Sequence, residues 1–103
     1  MEQRKINILD FEEMLKGIDP SYYLDVKTRP QESFNSNMKY YVCFNGSNIK
    51  EPGAYTGASG DGNSPDDAIE NYCPQISGQV LVFGFGEDAF RIKVPELFYL
   101  IKE

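Results

Sequence analysis

The chain has 103 residues, 41% of them hydrophobic and 14% aromatic, and a formal net charge of −6 from 16 acidic and 10 basic side chains. That length fills one core, the apolar content is too high for a disordered chain, and the acidic balance repels phosphate backbones and anionic lipid surfaces. With no histidine and two cysteines, imidazole acid-base chemistry, Ser-His and Cys-His pairs and the usual zinc fingers are excluded.

The stretch "MEQRKINILDFEE" lacks the apolar run and cleavage site of a signal peptide, and no segment is long and apolar enough to span a bilayer. A cytoplasmic protein is therefore expected, with Cys43 and Cys73 as buried, reduced thiols. In "ILDFEEMLKGI", Phe11, Met14, Leu15 and Ile18 recur at helical spacing, which predicts a helix over 11–18 with that stripe against the core. Asp10, with Glu13 three residues on, is its expected cap, and Asp19-Pro20 ends it. "YYLDVKT" at 22–28 reads as an edge strand and the polar "RPQESFNSN" after it as a loop.

"MKYYVCFNG" at 38–46 is the strongest strand signal, with Met38, Tyr40, Val42 and Phe44 on one face and Lys39, Tyr41, Cys43 and Asn45 on the other. "EPGAYTGAS" then turns and returns as a strand near 54–59. "GQVLVFGFGEDAFRIKV" predicts strands at 79–85 and 89–94, joined as a hairpin across Gly86, Glu87 and Asp88. Pro95 and Glu96 suit a first helical turn, so "PELFYLIKE" reads as a short helix. The expected fold is one small α+β domain, a mainly antiparallel sheet of about four strands packed on one or two short helices.

Residues 56–78, "TGASGDGNSPDDAIENYCPQISG", concentrate glycines and carboxylates before a helix. A phosphate cradle does not fit, because Gly62-Asn63-Ser64 lacks the P-loop lysine, the glycines at 57, 60 and 62 miss the dinucleotide spacing, and Asp61, Asp66 and Asp67 would repel an anion. An EF-hand register from Asp61 puts Asp66 at the turn glycine and Tyr72 at the bidentate glutamate, so it fails too, leaving only a loose, hydrated Mg²⁺ or Ca²⁺ site as the metal reading. A capped helix accounts for every residue: Ser64 caps, Pro65 takes the first position, Asp66 and Asp67 complement the helix dipole, and Gly60 and Gly62 let the chain leave its strand. Ala68, Ile69, Tyr72, Cys73 and Ile76 form the apolar face, which Pro74 should kink or end before Ser77-Gly78 turns the chain.

The run of a strand, then "GxSGxGxSPDDAIENY", then "QISGQVLVF" resembles small uncharacterised proteins of phages and prophages over about residues 38–95. Over about 38–73 it also resembles, more faintly, the HicB-type antitoxin fold, where a strand returns through a Gly-Asp-Ser/Thr turn into an acidic-capped helix. The second resemblance implies RNase-like ancestry and toxin binding. Its operator-binding role is not carried over, since no helix-turn-helix or ribbon signature follows the core.

Three function classes remain to be weighed. Carboxylates at Asp61, Asp66, Asp67, Glu70, Glu87 and Asp88 are the acid-base candidates for an enzyme, and no lysine, serine or cysteine is marked as an activated nucleophile. A nucleic-acid module would stack bases on sheet aromatics, but "SPDDAIE" puts negative charge where an RNA binder needs lysine. A non-enzymatic protein-binding module fits best, with Asp61, Asp66, Asp67 and Glu70 as an acidic surface and Tyr22, Tyr23, Tyr41 and Tyr55 as aromatic anchors. The partner expected is a protein with a basic surface, or a second copy through the 22–28 edge, and no cofactor is called for.

Overall fold

The computed structural model describes residues 5–28, 39–51, 54–84 and 86–101, without the side chains of 50, 51 and 54–56. The polar loop after Thr28, and Met38 of the expected 38–46 strand, lie outside the described residues. The element order is β1 (Lys5–Asn7), α1 (Ile8–Ile18), β2 (Leu24–Thr28), β3 (Tyr40–Phe44), β4 (Ser47–Glu51), β5 (Ala54–Thr56), β6 (Gly60–Gly62), α2 (Pro65–Ile76), β7 (Val80–Phe83), β8 (Phe90–Lys93) and β9 (Glu96–Phe98). A 3-10 turn at Gly86–Asp88 joins β7 to β8, as the hairpin reading expects. The fold is α+β, but its strands form three sheets in place of one: β1-β9, β2-β3-β6 and β5-β4-β7-β8.

Helix α1 begins ahead of its expected start because Asn7, not Asp10, is the N-cap, its side-chain oxygen accepting the Leu9 N–H at 3.1 Å. The buried stripe is Ile8, Phe11 and Leu15. Met14 and Ile18, expected in the core, are 49% and 53% exposed; Ile18 shares the Phe11 side of the helix but is its last residue, beyond the packed turns.

The split into sheets occurs at Asn45-Gly46, where Gly46 has φ +73° and the chain turns a corner. β3 and β4 are consecutive but do not pair: β3 lies between β2 and β6, while β4 lies between β5 and β7. The strand expected near 54–59 is shorter, β5 on β4, and a separate strand, β6, follows it on β3. β4 escapes sequence reading because Ile49 is its one apolar residue, which leaves no alternation to detect.

Helix α2 buries its whole expected face, Ala68, Ile69, Tyr72, Cys73 and Ile76. It continues through Pro74 to Ile76 instead of ending there. Pro74 and Glu70 share the exposed side, so the carbonyl deprived of its i+4 donor lies toward solvent, where water can replace the lost bond. Ser77 closes the end, donating from its N–H at 3.0 Å and its hydroxyl at 2.7 Å to the Cys73 carbonyl.

The helix expected from Pro95 is strand β9, parallel to β1 with Ile6 opposite Leu97. Burial alternates along it, exposed at Glu96, buried at Leu97 and exposed at Phe98, which is a strand's period. Pairing with a distant partner overrides the local helix signal. Between the layers lies one core, in which Phe44 meets Phe11 edge-on at 5.8 Å and Phe83 at 6.4 Å.

Candidate functional site

The glycine-rich stretch is built for contact between strand and helix. A Cβ on Gly60 would lie 2.2 Å from the Ala68 carbonyl oxygen and 2.4 Å from the Tyr72 nitrogen, and one on Gly62 would lie 2.5 Å from the Ala68 nitrogen. The two glycines therefore remain in β6, pressed on α2, where the sequence suggested that they release the chain from its strand. Ser64 caps α2 as expected, its hydroxyl accepting the Asp67 N–H at 3.1 Å, with Pro65 next.

Of the four acidic candidates, Asp66, Asp67 and Glu70 share the exposed side of α2, and Asp61 lies apart in β6. With Gly60 and Gly62 facing α2, Asp61 takes the opposite sheet face, where it is cross-strand from Tyr41, itself cross-strand from Lys27. Asn71 of α2 reaches the Asp61 main chain, donating to its carbonyl at 2.7 Å. Asp66, Asp67 and Glu70 are exposed on α2. Asp66 accepts the Tyr99 hydroxyl at 2.6 Å, and that bond, aided by burial, holds the Tyr99 phenol up to about 12.

The tyrosines separate as well. Tyr22 is half-buried and stacks on Phe83 at 4.0 Å and on Phe90 at 5.5 Å, so it is packing for the core. It also lines a shallow groove of about 420 Å³ with Asn45 and Phe83. Tyr23 is exposed and Tyr41 half-buried. Tyr55 lies in β5, and its side chain is outside the described residues.

Cys43 and Cys73 are free thiols, half-buried and buried respectively. Burial pushes both upward, Cys73 to about 11, so each is protonated at neutral pH and a poor nucleophile. Among the described residues no group of three or more Cys, Asp or Glu is placed to hold a metal ion. None of their helices is long and apolar enough to cross a membrane. Arg91 is engaged within its own hairpin, donating to the Gly86 and Ala89 carbonyls at 3.0 and 3.3 Å.

Sequence reasoning missed the polar side chains that tie distant backbone together. Glu12 of α1 accepts the Leu24 N–H at 2.7 Å, Ser77 Oγ accepts the Leu97 N–H at 2.9 Å, and Asn7 Nδ2 donates to the Leu100 carbonyl at 2.8 Å. Also unread was a groove of about 450 Å³ between α2 and β9, with Glu70 and Glu96 on its two walls and Cys73, Leu97 and Phe98 between. Its walls come from segments separated by the whole β7-β8 hairpin, too far apart in the chain for any motif. Comparison with family models, with curated proteins and with solved structures found no match to this chain.

Proposed function

We propose that this chain is a small cytoplasmic, non-enzymatic binding protein, encoded by a phage or prophage, which acts by engaging a basic surface on another protein. The observation that supports this reading is the outer face of α2, where Asp66, Asp67 and Glu70 are exposed on a helix that contains no basic residue. Capping accounts for Asp66 and Asp67 in the first turn; it does not account for Glu70. A helix face whose charges are all negative accelerates encounter with a positive one and disfavours nucleic acid. The resemblance to phage proteins points the same way, and the protonated thiols offer no competing catalytic chemistry.

The test is affinity capture from bacterial lysate at low and high salt, with native mass spectrometry of the eluate. A stoichiometric protein partner is expected that is released at high salt, and that Asp67→Lys with Glu70→Lys no longer retains. Turnover of a substrate by the purified protein, with no partner retained at either salt, overturns the proposal.

A further inference from the structure

The groove between α2 and β9 brings carboxylates and apolar surface together. Glu70 stands on its helical wall and Glu96 on its strand wall, Leu97 and Cys73 form a buried apolar floor, and Phe98, 38% exposed, lies at one side. Beyond Phe98 the same segment carries Leu100 and Ile101, 65% and 55% exposed. Among the described residues Glu96 pairs with Lys5 at 3.9 Å, in an ion pair whose side chains are 64% and 43% exposed. A pair that long and that wet contributes little and is readily exchanged for a partner's cation.

The charge decides which occupant suits the groove. A second copy related by a two-fold axis through this face would bring Glu70 and Glu96 toward their own counterparts, on a chain already at −6. A basic segment meets carboxylates on both walls and apolar surface beside them. We propose that this groove docks an amphipathic basic segment of the protein partner, seating Lys or Arg between Glu70 and Glu96 and an apolar side chain against Phe98. The inference rests on the basic-partner reading above and locates it at this groove, away from the first turn of α2.

The experiment is an amide chemical-shift titration of the labelled protein with a capped hexapeptide alternating lysine and leucine, and with the glutamate-leucine hexapeptide as control. Saturable shifts are expected at Glu70, Cys73, Ser77 and Phe98 with the basic peptide alone, weakened about fivefold in Glu70→Gln with Glu96→Gln. Both substitutions are at exposed positions, and an unchanged dispersion of the variant's spectrum verifies its fold. Equal shifts with the acidic peptide, or no shifts with either, overturn the groove assignment. Basic-peptide shifts centred on Asp66 and Asp67, or on the Asp61 face, also overturn it while leaving the basic-partner reading standing; that reading falls on the lysate capture instead.

Discussion

Tyr72 joins a helix to a strand through one atom. The Phe44 N–H, beyond the last β6 partner of its strand, donates to the Tyr72 hydroxyl at 3.1 Å in a fully buried setting. Tyr72→Phe keeps the ring and strands that donor, so we expect a loss of about 1–3 kcal/mol in urea denaturation, with faster amide exchange at Phe44. Alkali should act at the same place. Burial pushes Tyr72 from 10 up to about 12, so the folded state favours the protonated phenol; the stabilisation is complete below pH 10 and is lost as pH rises toward 12. Tyr99, raised to about 12 by Asp66, loses its contribution over the same interval. The melting temperature is expected to fall through that interval, and less steeply in Tyr72→Phe; parallel falls in the two proteins would exclude Tyr72 as a source. The sequence places Tyr72 on a buried helical stripe, but the partner of its hydroxyl lies 28 residues away and carries no local signal.

At the scale of elements, the contact between β6 and α2 is the tightest test of how the glycines are used. Gly60→Ala puts a methyl far inside van der Waals contact with backbone atoms of Ala68 and Tyr72, which neither a rotamer change nor a small shift relieves. A cost of at least about 3 kcal/mol is expected. Gly57→Ala, three residues earlier, has nothing within 4 Å of the added carbon and should lie within about 0.5 kcal/mol of the parent. Equal effects of the two substitutions in a thermal melt would contradict the packing. Helix α2 was legible because cap, first-turn proline and apolar period agree, whereas the use of Gly60 was not, since a glycine before a helix reads as a turn. Edge protection was equally hidden. Glu12 occupies the Leu24 N–H on the outer side of β2, and the charges of Asp25 and Lys27, 3.4 Å apart, follow along that strand. Glu12→Ala should free the edge and raise the self-associated fraction in sedimentation at high protein concentration, while a strictly monomeric variant would show that the carboxylate does not guard it.

Over the whole molecule, periodicity within segments made the α+β class readable, because a two-residue or 3.6-residue repeat is a local property. The division into three sheets was not readable, because it depends on which strand meets which, and β1 with β9 is the extreme case. Those strands are held by pairing of Lys5, Ile6 and Asn7 with Glu96, Leu97 and Phe98, and by Asn7 reaching Leu100 across 93 residues of chain. Asn7 is 4% exposed and serves two elements at once, capping α1 with its oxygen and anchoring the carbonyl of Leu100 with its amide nitrogen. Asn7→Ala removes both bonds, with an expected cost of about 1–3 kcal/mol. The pattern of the loss is more telling than its size. If β1 and β9 close the fold as a separable unit, amide protection at Leu97 and Phe98 falls well before that of Leu81 and Ile92 in the β7-β8 hairpin, whose ladder does not involve Asn7. Uniform loss of protection across both regions would mean that the pairing of β1 with β9 melts only with the core, and that the docking groove, which has β9 as one wall, is as permanent as the fold itself.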